Sequence, residues 1–558
     1  MTTTAAGSGS EATTAPARPS DRLVWREAFT GTAALLRLDL RRDRVKLPAW
    51  VLGITLMAVY YAAALPQVYR TPEDLRVVSR FGAGVVGALL CGPGYGLTDP
   101  TIESVIVGIY GLYFLLVAAL MNILLLARHT RVEEQSGRAE LVRANVVGRH
   151  AQLTAALLVA LIANAVLAAL LTATFAVTGL RTDDAALFAV GVAAAGMAFA
   201  AVTAITVQVT AYSRVATGMA GAVVGVAYAV RAAGDAIDEG GSWLSWTSPL
   251  AWSQQTRAYA DGRWWPLLLS MAFVAVATGV AYTLSTRRDL GAGLLPPRPG
   301  RRHAPAWLST PLALATRLHR AGVIGWGCAL TAVGALYGSI GSTVVTAFED
   351  LPDQLVEVMG GDANRMLDGY LGIMAFFDAL LVTSFAVLAV QTLRGEETRG
   401  RTESVLATAT GRIGWFSAYL GVTAVGALAL LTVSGLVFGI ALAVSVGDGG
   451  HFVDILVAHV AFFPAVLLVL AVAALLYGFA PQFIGATWAL FGFSFILGFF
   501  GPIMDLPRWV HDLSPFEHVA RLPLQDLRWM PLVVLTVLAA AAATAGAYGF
   551  RHRDLDTK

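Results

Sequence analysis

Lysine is nearly missing from this chain: of 39 basic residues only Lys46 and Lys558 are not arginine, and charged residues of either sign make up just 14%. The formal net charge of +2 gives no global positive field, which argues against nucleic acid as a partner. Cysteine is as scarce as lysine. Cys91 and Cys328 can build neither a disulfide framework nor a four-ligand zinc site. No G-x-x-x-x-G-K-[ST] segment occurs and neither lysine follows a glycine, so there is no P-loop. The stretch "GAGVVG" at 82–87 fits G-x-G-x-x-G in letters alone, since no strand–helix unit surrounds it; small-residue packing is the better reading. The nine histidines form no H-E-x-x-H, and His511 and His518 have no ligand set around them, so no metal site is expected. Alternating strand patterns are also missing, which excludes a β-barrel.

What remains is apolar. Of 558 residues 56% are hydrophobic and the mean hydropathy is +0.66. A soluble protein of this length needs more polar surface to cover its core. Apolar runs of about 18 residues or more recur, long enough to cross a hydrocarbon layer as helices. They fall near 47–65, 104–127, 151–179, 185–211, 215–232 and 265–285, then 322–341, 369–392, 415–444, 452–479, 482–502 and 531–550. The fold class is therefore an all-α polytopic membrane protein of about 12 transmembrane helices. The division expected is a disordered tail at 1–20, a basic amphipathic interfacial segment at 21–46 and a six-span half at 47–285. A linker with a second interfacial segment follows at 286–321, then a six-span half at 322–550 and a tail at 551–558.

Arginine placement sets the expected orientation. Arg37, Arg41, Arg42, Arg44 and Lys46 precede the first run, seven arginines occupy the central linker, and Arg551 and Arg553 follow the last run. The loop at 342–368 is acidic instead. Both termini and the linker are thus expected on the cytoplasmic side of the cell membrane. The Ala, Gly and Arg richness points to a GC-rich genome.

One charged sentence occurs twice. "RVEEQSGRAELVRANVVGR" (131–149) and "RGEETRGRTESVLATATGR" (394–412) agree at ten of nineteen positions, among them Glu133/Glu396, Glu134/Glu397, Gly137/Gly400, Arg138/Arg401 and Glu140/Glu403. Further pairs recur at similar spacing: "TSPLAW" with "LSPFEH", "RWWPL" with "RWMPL", and "AYTLSTRRDL" with "AYGFRHRDL". The chain reads as two parallel six-span halves in tandem. A plain solvated loop would satisfy the positive-inside rule. It would not need as many Glu as Arg, nor resist divergence between halves. Glu134 with Arg138 and Glu397 with Arg401 have the i,i+4 spacing of helical ion pairs, and Gly137 and Gly400 allow a bend. The expected result is a charged cytoplasmic knob in each half, suited to docking a soluble partner.

The paired E-E-x-x-G-R-x-E motif, the basic segment before the first span and the Ser-Pro element before the sixth resemble ABC-2 type transporter permeases. The tandem twelve-span layout resembles the actinobacterial exporters of polyketide antibiotics, of the tetronasin-transport type. The resemblance covers roughly 25–558. It implies two homologous six-helix ABC-2 halves forming a pseudo-dimer, with cytoplasmic coupling helices that engage two copies of a separate ABC ATPase. ATP and Mg would be bound by that partner and no cofactor by this chain, which is not catalytic by itself. The coupling residues it implies are Glu133, Glu134, Arg138 and Glu140, with Glu396, Glu397, Arg401 and Glu403. The substrate it implies is a hydrophobic drug, polyketide or lipid-like molecule.

In such permeases the second and fifth helices of each half line the path. Asp378 is the one acid well inside an expected span, and burying it costs about 2.5–3.5 kcal/mol, so it faces either a wet path or a polar partner on another helix. Asn122, Gln208 and His459 read first as polar glue between helices, with path lining second. Phe376, Phe377, Phe491, Phe493 and Phe495 are candidates for an apolar wall, or for ordinary core. Trp246, Pro249, Trp252 and Pro515, in the Trp- and Pro-rich segments before each half's last span, resemble an outer gate; interfacial anchoring is the plainer reading. The rival classes are an ion-coupled secondary transporter and, less supported, a membrane-embedded lipid-modifying enzyme.

Overall fold

A computed structural model describes residues 27–238, 240–296, 302–339, 341–342, 363–504 and 506–555. The expected tail at 1–20, most of the acidic loop and the last three residues lie outside these. Among the described residues every regular element is helical. Twelve helices have the length and apolarity to cross a membrane. They are spans 1–6 at Lys46–Val68, Ile102–Gln135, Ala151–Val177, Thr182–Val209, Ser213–Ile237 and Pro266–Ser285. Spans 7–12 are Pro311–Ser339, Leu367–Thr398, Arg412–Val446, Phe452–Phe479, Pro481–Gly498 and Trp529–His552. At 1.5 Å per residue a 20-residue helix rises about 30 Å, the thickness of a bilayer core. The protein is a polytopic, all-helical membrane protein.

The helices form two compact units, residues up to 300 and from 301. In the first, span 4 is the most enclosed helix and packs on spans 2, 3 and 6. Phe114, Phe175 and Phe188 meet edge-on or tilted where the end of span 3 and the start of span 4 flank span 2. Span 2 starts on a capping box, Thr101 and Ser104 each bonding the other's backbone N–H. In the second unit, span 10 lies against span 12 so closely that a methyl on Gly478 would sit 2.1 Å from the Gly546 carbonyl oxygen. Glycine is required there by contact, not by backbone angle. Span 10 breaks at Phe462 because Pro464 cannot donate to the preceding turn.

Several helix ends differ from the sequence expectation, span 2 running to Gln135 and span 8 to Thr398. Span 5 runs to Ile237, beyond 232, and so takes Asp235 into the helix. Span 7 starts at Pro311, ahead of 322, so that Pro311–Ser339 is one continuous helix. In the first unit the chain turns at residues 43–45 between the helix Thr32–Arg42 and span 1. Asp43 explains the contrast: it is pinned at that turn by Arg128 at 2.9 Å and His129 at 2.6 Å. His319 holds the corresponding place in the second unit and packs edge-on against Tyr419 instead.

Candidate functional site

The repeated charged motif is a set of buried clamps carrying a small exposed tip. In the first unit, span 2 passes through a π-helical turn at Arg128–Val132, which turns Arg131 inward. Arg131 is fully buried and donates to the Val207 carbonyl at the end of span 4, to Ala292 O at 3.1 Å and to Glu134 at 2.7 Å. Glu134 also takes a two-pronged pair from Arg288, at 2.7 and 2.9 Å. Arg288 reaches Gln208 on span 4 at 2.5 Å. Glu133 points the other way and binds Arg42, on the helix before span 1, at 2.7 Å. That hydrogen bond raises the Arg42 pKa, so the guanidinium stays charged. Gln135 caps the turn into span 5 by accepting from Ser213 N and Oγ. One short segment thus ties span 2 to spans 4 and 5, the chain after span 6 and the helix before span 1.

The second unit repeats the central clamp. Glu397 is 1% exposed and takes Arg553 through both oxygens, at 2.5 and 2.7 Å, with the Tyr477 hydroxyl donating at 2.5 Å. The Arg553 guanidinium lies over the rings of Tyr477 and Phe550. Burial works to lower the Arg553 pKa, but the Glu397 carboxylate outweighs it and the net shift is upward.

The expected i,i+4 pairs are not formed. Gly137 at φ 73° and Gly400 at φ 71° adopt left-handed backbone, which ends one helix and starts another between the partners. Arg138 instead lies 3.7 Å from Glu133, and Arg401 binds Glu396 at 2.5 Å. After each glycine comes a six-residue helix, Arg138–Arg143 and Arg401–Leu406. On these Arg138, Glu140, Arg401 and Glu403 are exposed, as is Leu141 at 73%. The motif therefore divides: Glu133, Glu134 and Glu397 face inward, and Arg138, Glu140, Arg401 and Glu403 face out.

A polar cavity of about 350 Å³ lies beside the first clamp, lined by Glu134, Arg149, Leu153, Gln208, Ser285 and Arg288 among others. The corresponding place in the second unit is filled by stacked rings, Phe416 with Phe550 at 5.5 Å and Tyr477 with Phe550 at 5.4 Å.

The path candidates are scattered. Asn122 is fully buried and exchanges amide hydrogen bonds with Asn164 on span 3, at 3.1 and 2.7 Å, as helix glue does. Asp378 accepts from the Ser434 hydroxyl on span 9 and meets His459 Nε2 on span 10 at 3.3 Å. Phe376 is buried against Phe462 and Phe516, Phe377 packs edge-on with Tyr337, Phe491 packs edge-on with Trp488, and Phe493 is half-buried. Phe495 is exposed at 36%. Of the gate candidates, Trp246 stacks on Trp265 at 5.1 Å, and Trp252 Nε1 donates to the Trp246 carbonyl at 2.5 Å. Pro249 and Pro515 are buried, each opening a short helix after a serine. Ser248 fixes this element by donating to Ala227 O on span 5 at 2.7 Å.

Sequence reasoning missed Arg42, Arg288 and Arg553 as partners of the motif glutamates. The "RDL" at 288–290 and 553–555 was the available signal, since it recurs at nearly constant distance from Glu134 and Glu397. It also missed Arg231 and Asp235, a fully buried i,i+4 pair at 3.1 Å that Ser245 and the Ala88 and Leu89 carbonyls complete.

Comparison with known proteins agrees with this architecture. The family model described as "Multidrug efflux system permease Rv1217c, C-terminal domain" matches residues 33–284 and 308–551, one stretch in each unit. The chain belongs to this family. It is also 37% identical over 535 residues to the multidrug efflux system permease protein Rv1217c of Mycobacterium tuberculosis, covering 94% of this chain and 96% of that one. It is accordingly a permease of an efflux system, and multi-pass.

Proposed function

We propose that this chain is the membrane subunit of an ATP-binding cassette exporter of the ABC-2 type, with separate ATPase subunits docked at its two charged tips. The observation that carries this reading is the exposed helix after Gly137 and its copy after Gly400, each braced by a buried Glu–Arg clamp. A docking element must transmit force, and a tip anchored to several helices moves them together. Two tips on one chain suit two ATPase copies. Both tips, the termini and the linker then face the cytoplasm, in keeping with the arginine distribution. ATP and Mg belong to the partner, whose closure would bias the spans between inward and outward access. The substrate is a hydrophobic drug, in line with the name of the mycobacterial relative; polyketide and lipid-like molecules share that chemistry.

The test separates tip from clamp. Glu140→Arg with Glu403→Arg reverses exposed charges and leaves Glu134 and Glu397 in place. Membrane assembly is expected to be unchanged, while ATPase co-purification and ATP-dependent drug export fall at least tenfold. Unchanged export with a bound ATPase would remove the tips from the coupling role. Reversing Glu134 and Glu397 is the poorer experiment, because it opens the fold as well.

A further inference from the structure

We propose that Asp378, His459 and Ser434 form a proton-binding site inside the second unit, with one proton shared between the carboxylate and the imidazole. His459 Nδ1 lies 2.8 Å from the carbonyl of Ile455, one turn back on its own helix. A carbonyl only accepts, so Nδ1 must carry its hydrogen. In a neutral ring that leaves Nε2 as a bare lone pair, and Nε2 faces Asp378 Oδ2 at 3.3 Å. Two lone pairs do not attract. A proton between them, on the carboxyl or on the imidazole, turns the contact into a hydrogen bond and leaves the pair neutral overall.

Burial points the same way. Asp378 is 1% exposed and His459 0%, and no Arg or Lys contacts either among the described residues. An unprotonated pair would place a net negative charge in an apolar core, with a serine hydroxyl its only firm donor. Asp378 Oδ1 is buried with no hydrogen-bond partner, so the carboxyl has an unused position for a second proton or a water. Of the helices packed against span 8 here, span 7 brings Tyr337, whose carbonyl accepts from Tyr370 of span 8 at 2.9 Å. Span 9 brings Ser434. Span 10 brings His459, with Asp454 exposed near its start; Tyr477 is committed to Glu397. The described part of span 11 contains no titratable side chain.

The repeat supplies an internal control. At the spacing of 263 that aligns the charged motifs, Asp378 and Ser434 correspond to Leu115 and Leu171, both fully buried. Packing of the six-helix unit thus needs no carboxyl at this position. The buried contact that joins spans 2 and 3 of the first unit, Asn122 with Asn164, is made of amides that do not titrate. The first half carries no exchangeable proton at the positions aligned with Asp378 and Ser434.

The site is independent of what drives export, and the experiment reads it directly. The full chain in lipid nanodiscs is examined near neutral pH by infrared spectroscopy of the carboxyl region and by nitrogen NMR of the histidine rings. The expected signature is either a protonated-carboxyl band or an imidazolium signal, lost in Asp378→Asn and altered in His459→Gln. Asp378→Asn keeps the shape and a hydrogen-bonding oxygen, and an unchanged melting curve checks its fold. Should it fail to assemble, His459→Gln alone gives the same reading. A wild-type spectrum with a carboxylate at Asp378 and a neutral ring at His459 would overturn the proposal. So would spectra that the two variants leave unchanged.

Discussion

The two halves hold the same ion pair in opposite surroundings. Glu134–Arg288 borders a polar cavity, and Arg131 and Gln208 share the load. In the second half Glu397 is sealed, Arg553 lies over the rings of Tyr477 and Phe550 with 14% of its side chain exposed, and the residue in the place of Arg131, Arg394, is only half-buried. A buried pair adds little net stability against an apolar replacement, but breaking one is costly because the remaining charge is stranded. How costly depends on whether water can reach it. Glu397→Ala should therefore lose the most, about 3–5 kcal/mol, since Arg553 is left against aromatic rings. Glu134→Ala should lose clearly less, because Arg288 keeps Gln208 and gains water from the cavity. Melting of both variants in nanodiscs measures the difference, and equal losses would mean that the cavity does not solvate Arg288.

A middle-sized effect sets the Asn122–Asn164 pair against its counterparts Phe385 and Ala427 in the other half. Asn122→Ala leaves the buried Asn164 Oδ1 without its donor, at about 1–3 kcal/mol, while Nδ2 keeps the Ala160 carbonyl. Removing both amides should cost less than the two single losses added together. A double-mutant cycle should give a coupling of about 1–2 kcal/mol. A coupling of zero would show that the two amides do not depend on each other.

How far the sequence alone reached follows from the same residues. The twelve spans were legible because each is one long apolar run, and the duplication because Glu, Gly and Arg recur in fixed register. The division of the motif into clamp and tip was not legible. Glu133 and Glu134 are neighbours in sequence, yet the π turn before them sends one to Arg42 and the other to Arg288, far along the chain in opposite directions. The helical i,i+4 rule assumes an unbroken helix, and Gly137 and Gly400 break it between the partners. Asp378 was visible as an anomaly, but its partners lie 56 and 81 residues away on two other helices. Local pattern cannot supply such distances.

The smallest effect exchanges the surroundings themselves. At the spacing of 263, Leu153, which lines the first cavity, corresponds to Phe416, one of the rings that fill the second. Leu153→Phe places a ring where there is room for it, so the change in stability should stay within about 1.5 kcal/mol. The reverse exchange, Phe416→Leu, removes a ring stacked on two others and should cost more, because a packed core relaxes only partly around the space left behind. If Leu153→Phe also raises the cost of Glu134→Ala toward that of Glu397→Ala, water in the cavity is what separates the two clamps. If that cost stays where it was, the extra guanidinium of Arg131 is the source of the difference, and the asymmetry lies in the charges, not in the space around them.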